Sequence, residues 1–306
     1  MQRQPVAFGL IGVGRVGGPI SRALSDAGYP VVGVSAYDEE SRERAEVMLP
    51  GVPLLEAAEV VDKAALVWLT VSDDAITPLC QELASSWRPG QVVVHASGAR
   101  GLAALAPAAR AGAITLAIHP AMTFTGTSID VVKMHQAPFA ITTPVGLEPL
   151  AEALVQALGG WPFVVHESDR PLYHTALAHL SNHLVTLVDQ ARQLIQTITG
   201  ADPHDLLEPL ALASLEAALR HGIDGLSGAV SRGDVTTLVT HRQALENWAA
   251  SRGGLVSGEV ALDDRASAAL DTVRTYRELA LMTARAAERA GRIDAAAVEA
   301  IGQALD

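Results

Sequence analysis

The stretch VAFGLIGVGRVGGPI, residues 6–20, sets Gly12, Gly14 and Gly17 directly after an apolar run and ahead of an alanine- and leucine-bearing segment that ends at Ala27-Gly28. Strand, tight turn and helix in that order are the context in which Gly-x-Gly-x-x-Gly binds a dinucleotide. Gly12 allows the turn, Gly14 lets backbone approach a pyrophosphate, and Gly17 permits close packing of helix on strand. Free N–H groups at the helix start, around Arg15 and Val16, face the phosphates. Pro19 is slightly awkward, because proline is best tolerated in a helix's first turn. Further residues with chemistry follow other apolar runs: Val71, Ser72 and Asp73 after WLT, His95, Ser97 and Gly98 after QVVV, and His119-Pro120 after TLAI. Imidazole exchanges protons near neutral pH without help.

To bring these positions together the chain needs strands whose carboxyl ends share one edge. Up to about residue 165, β-branched runs alternate with helical stretches: PVVGVSA, AALVWLTVSD, QVVVHASG, ITLAIHPAM, PFAITT and WPFVVHE. Such alternation predicts βαβ units and a mostly parallel sheet, with sites beyond the strand carboxyl ends. Gly28 and Pro30 end the first helix, and Pro89-Gly90 ends another. From about Asp169 the strand signals vanish. The run from Arg170 to Gly200 predicts one helix of about 27 residues, about 40 Å long. A second helical run covers 201–222, and an alanine- and arginine-rich helix is expected from about Ala266 to Ala290. The only linker-like stretch is ASRGGLVSGEVALDD, residues 250–264. The fold expected is α/β: an N-terminal Rossmann-type, mostly parallel sheet over residues 1–167, then an all-α domain for substrate and dimerisation over 168–306.

Composition narrows the partners. The 306-residue chain carries a formal charge of -12, which works against nonspecific attraction to nucleic acid or an anionic membrane. Its apolar runs are far shorter than the roughly 20 residues needed to span a bilayer. The single cysteine, Cys80, cannot form an internal disulfide, and no N-terminal stretch combines a basic start, a long apolar run and a cleavage site, so a cytoplasmic location is expected. The apolar surplus and the long helix beginning near Arg170 predict a homodimer through the helical domain.

NAD enzymes place Asp or Glu at the end of the second strand, about 20 residues past the glycines, for the ribose 2′-hydroxyl. Here Ser35-Ala36 stands there, with Asp38 expected to lie too far along. A missing carboxylate permits a 2′-phosphate, and Arg42 or Arg44 could supply positive charge unless both pair with Glu39, Glu40 and Glu46. NADP is therefore favoured over NAD.

Six segments complete a pattern: Gly12-x-Gly14-x-x-Gly17, VSDDAI at 71–76, HASG at 95–98, IHPAMTFTG at 118–126, YHTALAHLSN at 173–182 and LSGAVSRGD at 226–234. In this order they resemble, over nearly the full length, the family that joins a Rossmann-like domain to a C-terminal domain of unknown function 2520. That family is similar to ketopantoate reductase, pyrroline-5-carboxylate reductase and the β-hydroxyacid dehydrogenases. The resemblance implies an NADPH-dependent reductase of a small 2-keto acid, with ketopantoate reduced to pantoate by some members. Family members often read Leu-Thr-Gly-Pro where this chain has Leu226-Ser227-Gly228-Ala229. Ketopantoate reductases proper carry a lysine followed four and eight residues later by asparagines. Setting Asn182 on the later asparagine puts Ala178 on the earlier one and His174 on the lysine.

A hydride delivered to a ketone leaves an alkoxide that needs a proton. The two lysines, Lys63 and Lys133, read as surface residues, so His174 is the expected acid, the alternative being a hydrogen-bonded histidine between domains. At 100° per residue His174, Ala178, Ser181 and Val185 share a face with Asn182 at its edge, so Ser181 and Asn182 could hold a carbonyl or hydroxyl. His179 and His183 project from the opposite side with no acidic ligand, and no metal site is expected. Arg232 is the candidate for a substrate carboxylate and Asp234 the cap of the following helix. Ser97 and Gly98 are expected to bind substrate or nicotinamide. His119 is a substrate-binding candidate, and for His95 and His119 buried structural roles and site roles both stand. Competing functions are reduction of a cyclic imine, of a deazaflavin, or NADP binding without turnover as a sensor or scaffold.

Overall fold

A computed structural model of the chain describes residues 6–253 and 264–306. Most of the linker-like stretch therefore lies outside the described residues. Two compact units make up the chain, Met1–His183 and Leu184–Asp306.

The first unit is built on seven strands: β1 (Phe8–Ile11), β2 (Val31–Ser35), β3 (Leu66–Leu69), β4 (Val92–His95), β5 (Ile114–Pro120), β6 (Pro138–Thr142) and β7 (Trp161–Val164). Their order is β2-β1-β3-β4-β5-β6-β7. Strands β1 to β5 are parallel, β6 pairs antiparallel with β5, and β7 follows β6 in parallel. Seven helices join them: α1 (Gly17–Asp26), α2 (Glu39–Met48), α3 (Ala57–Lys63), α4 (Asp73–Glu82), α5 (Ala106–Arg110), α6 (Ser128–Met134) and α7 (Glu148–Ala157). The apolar runs bury both faces, as a helix-covered parallel sheet demands. Phe8, Leu10, Trp68, Val94 and Ile118 enter one core, while Ile11, Val67, Leu69 and Val93 enter the other. From β1 the chain goes to β2 on one side and then crosses to β3 on the other, so a switch point lies at the carboxyl ends of β1 and β3. Pro19 is the third residue of α1, where its missing N–H costs no hydrogen bond.

The unit ends in the first half of α8 (Arg170–Thr199), a 30-residue helix that continues into the second unit. There follow α9 (His204–His221), α10 (Val235–Ala250), α11 (Asp264–Arg289) and α12 (Ala295–Leu305), the last beyond the helices expected. Leu238, Ala280, Ala284, Ile301 and Leu305 form the core of α10, α11 and α12. Helix α9 has no buried residue, and its Leu206, Leu210 and Leu219 are 54%, 64% and 72% exposed. Among the described residues no helix is long and apolar enough to cross a membrane.

Candidate active site

The glycine turn opens a cleft of about 740 Å³ whose wall includes Gly12, Gly14, Ser35, Asp38, Thr70, Val71 and Ser72. Gly12 has φ +97°, and a Cβ there would stand 2.9 Å from the Thr70 carbonyl carbon and the Val71 nitrogen. Thr70 closes the turn by donating its hydroxyl to the Gly12 carbonyl at 2.5 Å. Gly17 is buried, and any Cβ would collide with the Gly12 oxygen and the Thr70 hydroxyl. Packing thus explains two of the three glycines. It does not explain Gly14, whose Cβ position has one atom 4.0 Å away, the Thr70 oxygen, and otherwise open space. Val16, the N-cap of α1, offers no side-chain acceptor, and the first turn holds no acidic residue. Bare N–H groups beside a glycine with room over its backbone fit a pyrophosphate. Arg15 is exposed, its stem against the Gly126 turn.

At the end of β2 the fold corrects one expectation. Asp38 lines the cleft with Ser35 because the chain turns at once from β2 into α2, rather than running past the site. Its carboxylate is committed to the helix: it accepts the Ser41 N–H at 2.8 Å. The Ser41 hydroxyl and N–H hold the Asp38 carboxyl below the usual carboxylate range. Arg44 pairs with Glu40 and donates to the Val13 carbonyl at 3.0 Å, bracing the glycine turn from behind. Arg42 is half exposed, 3.7 Å from Glu39, and does not line the cleft.

Along the same sheet edge β3 pairs with β4 and β4 with β5, so His119 stands two strand spacings, about 10 Å, from the end of β3. There His119, Met122 and Thr123 face His174, Ala178, Ser181 and Asn182 of α8 across a cavity of about 300 Å³. The expected α8 face is thus assembled, with His119 opposite it. The two imidazoles meet edge to face, their centroids 6.1 Å apart at 88°. Gly98 lies under both: a Cβ would be 2.6 Å from His174 Cδ2 and 2.9 Å from His119 Nε2. Burial, and then the charges of Arg170 and His174, push His119 down to about 3. Its Nδ1 lies 2.9 Å from the Tyr173 hydroxyl, which burial pushes up to about 12.

His95 takes the structural alternative. It is fully buried, its Nδ1 accepts the Ser97 N–H at 3.2 Å, and Nε2 therefore carries the proton it donates to the Gly101 carbonyl at 2.9 Å. Burial lowers it to about 4. Ser97 is buried too, its hydroxyl accepting the Arg100 N–H at 3.0 Å, so Ser97 and Gly98 form the floor beneath the imidazoles. His179 and His183 bond to each other through Nδ1 atoms 2.9 Å apart on the exposed side of α8. Arg232 belongs to the second unit, at the end of the turn Val230–Arg232, and Asp234 caps α10 by accepting the Thr237 N–H at 3.1 Å.

Three residues that organise the site are given no role by the sequence pattern. Arg170 is fully buried at the start of α8 and donates to Thr142 Oγ1 at 2.7 Å and to the carbonyls of Ser97, Ala117 and Ala140 at 2.8, 2.9 and 3.1 Å. It thereby ties α8 to β4, β5 and β6, and its burial lowers it to about 10. Thr70 and Tyr173 act through contacts 58 and 54 residues distant. Tyr173 could have been suspected from its place beside His174.

Residues 1–120 match the model of a Rossmann-like domain and residues 137–253 that of a domain of unknown function, DUF2520. No curated protein matches the sequence. Among solved structures, a Bacteroides fragilis protein named as an NADP oxidoreductase is 20% identical with a TM-score of 0.72, over 92% of this chain and 99% of its own. An imine reductase from a Pseudomonas species is 19% identical with a TM-score of 0.58, over 99% of this chain and all of its own. A Myxococcus stipitatus imine reductase, solved with NADP+, is 16% identical with a TM-score of 0.56, over 96% and 98%. At these identities the likeness is one of fold.

Proposed function

We propose, from the premise that the chain belongs to the family joining a Rossmann-like domain to the domain of unknown function 2520, that it is an NADPH-dependent oxidoreductase reducing a small 2-keto acid, with ketopantoate the first compound to try. The observation that carries this reading is the shared edge: the bare glycine turn at Gly14 follows β1 and the His119–His174 pair stands at β5, three strand spacings or about 14 Å along it. A dinucleotide with its pyrophosphate at α1 extends along that edge toward the imidazoles.

When bound, the nicotinamide supplies hydride. The protein's part is to hold the substrate and deliver a proton. His174 donates that proton to the substrate oxygen, in keeping with its place on the cavity wall beside Ser181 and Asn182. Ser181, bonded to Asn182 Oδ1 at 3.4 Å, and Asn182 orient the carbonyl. His119, kept neutral by burial, adds no competing positive charge. NADP is the cofactor chosen because the Asp38 carboxylate is turned onto the start of α2, while Arg42, outside the cleft wall beside Glu39, has a half-exposed side chain that would have to swing toward a 2′-phosphate to meet it. The exposed leucines of α9, which stand on two sides of the helix, are read as surface that a second copy covers, which light scattering of the purified protein checks.

The test is NADPH oxidation by the purified protein across a panel of small 2-oxo acids, pyrroline carboxylates and cyclic imines. Turnover with 2-oxo acids supports the reading. Turnover with imines alone moves the substrate to the C=N class, and tight NADPH binding without oxidation by any compound replaces the reductase with a sensor.

A further inference from the structure

We propose that Tyr173 is a positioning residue that fixes the tautomer of His119, so that the ring presents Nε2–H as a hydrogen-bond donor to the oxygen or nitrogen of the group being reduced. The tautomer follows from the structure alone, whereas the use of Nε2–H on a substrate rests on the reductase reading.

A neutral imidazole has one donor and one acceptor nitrogen, and a phenol both donates and accepts. Tyr173 Oη and His119 Nδ1 are 2.9 Å apart, and among the described residues the hydroxyl has no other hydrogen-bond partner. If Nδ1 donated, the phenolic hydrogen would have no protein acceptor among the described residues, on a half-buried side chain packed beside Phe163 at 5.9 Å between ring centroids. A partly buried donor with no protein acceptor is the less favourable arrangement. Donation from Tyr173 to Nδ1 satisfies both groups and leaves the proton on Nε2. Burial keeps the phenol protonated and the ring neutral, in support of the same assignment.

Nε2 has no protein partner among the described residues. It lies over Gly98, where a Cβ would approach it to 2.9 Å, and its ring forms the wall of the cavity that His174, Ser181 and Asn182 also line. An unpaired N–H on a cavity wall is a hydrogen-bond donor for a carbonyl oxygen or imine nitrogen. The two imidazoles then have separate tasks: His174 gives up a proton, while His119 keeps its own and orients the acceptor.

Long-range ¹H–¹⁵N spectra of the histidine side chains in the full-length protein, with His119 assigned by His119→Gln, read the tautomer without any substrate. The expected result is a wild-type His119 protonated at Nε2 with Nδ1 as a hydrogen-bonded acceptor, and a Tyr173→Phe protein in which both tautomers are populated. A wild-type ring protonated at Nδ1 overturns the assignment, and needs no variant to be seen. So does a folded Tyr173→Phe protein with an unchanged tautomer balance. In the oxidation assay Tyr173→Phe is expected to lower kcat by about 3- to 10-fold, the worth of one neutral hydrogen bond, with the Kd for NADPH unchanged. A proportional loss of NADPH affinity overturns the positioning role. A protein that oxidises NADPH with nothing in the panel defeats the reductase reading instead, and the spectra still decide the tautomer.

Discussion

Gly98 and His174 are in the closest contact a residue at 98 permits: a Cβ added to the glycine would stand 2.6 Å from Cδ2 of the imidazole. Gly98→Ala must therefore displace His174, His119 or the strand end beneath them. Turnover is expected to fall about 100-fold, as for a displacement near 1 Å, while stability drops by only about 1–3 kcal/mol. Steady-state kinetics beside thermal melts check both.

Gly14 separates binding from packing. Because the space over it is open, Gly14→Ala is expected to leave the melting temperature of the free protein within a degree or two, yet to weaken NADPH by at least about tenfold by blocking backbone approach to the pyrophosphate. Calorimetric titration with NADPH measures the second effect.

Much of this was legible from residue pattern. The apolar runs gave the strands because the central ones are buried on both faces, and Gly12-Gly14-Gly17 gave the turn because its geometry is local. Strand direction was less legible: nothing in PFAITT says that β6 runs against β5. Asp38 was misplaced because distance along the chain is a poor guide where a strand passes directly into a capped helix. Arg170, Thr70 and Tyr173 escaped because their roles depend on partners 28 to 73 residues away.

Acid should destabilise the fold through two histidines. His95 and His119 titrate at about 4 and about 3 rather than 6.5, burial being the main cause in each. Below pH 6.5 the unfolded chain takes up protons that the fold refuses. The stability from keeping these rings neutral is complete above pH 6.5 and is lost as pH falls toward 3. Melting temperature is expected to fall between about pH 7 and about pH 4.5, with a shallower slope in His95→Asn.

Arg42 should decide between the two nicotinamide cofactors. Its loss in Arg42→Ala is expected to weaken NADPH by about 3- to 10-fold, with NADH unaffected, since only the former carries the 2′-phosphate and the side chain is half exposed. Paired Kd measurements give the ratio.

The central claim is that an imidazole at position 174 completes a reduction begun at the cofactor. It is tested most directly by single-turnover NADPH oxidation with a 2-oxo acid substrate in wild type and His174→Ala, each saturated with NADPH. The hydride-transfer rate is expected to fall by about 100-fold or more, within the range for loss of a general acid, while the Kd for NADPH stays the same. An unchanged rate in His174→Ala would contradict it.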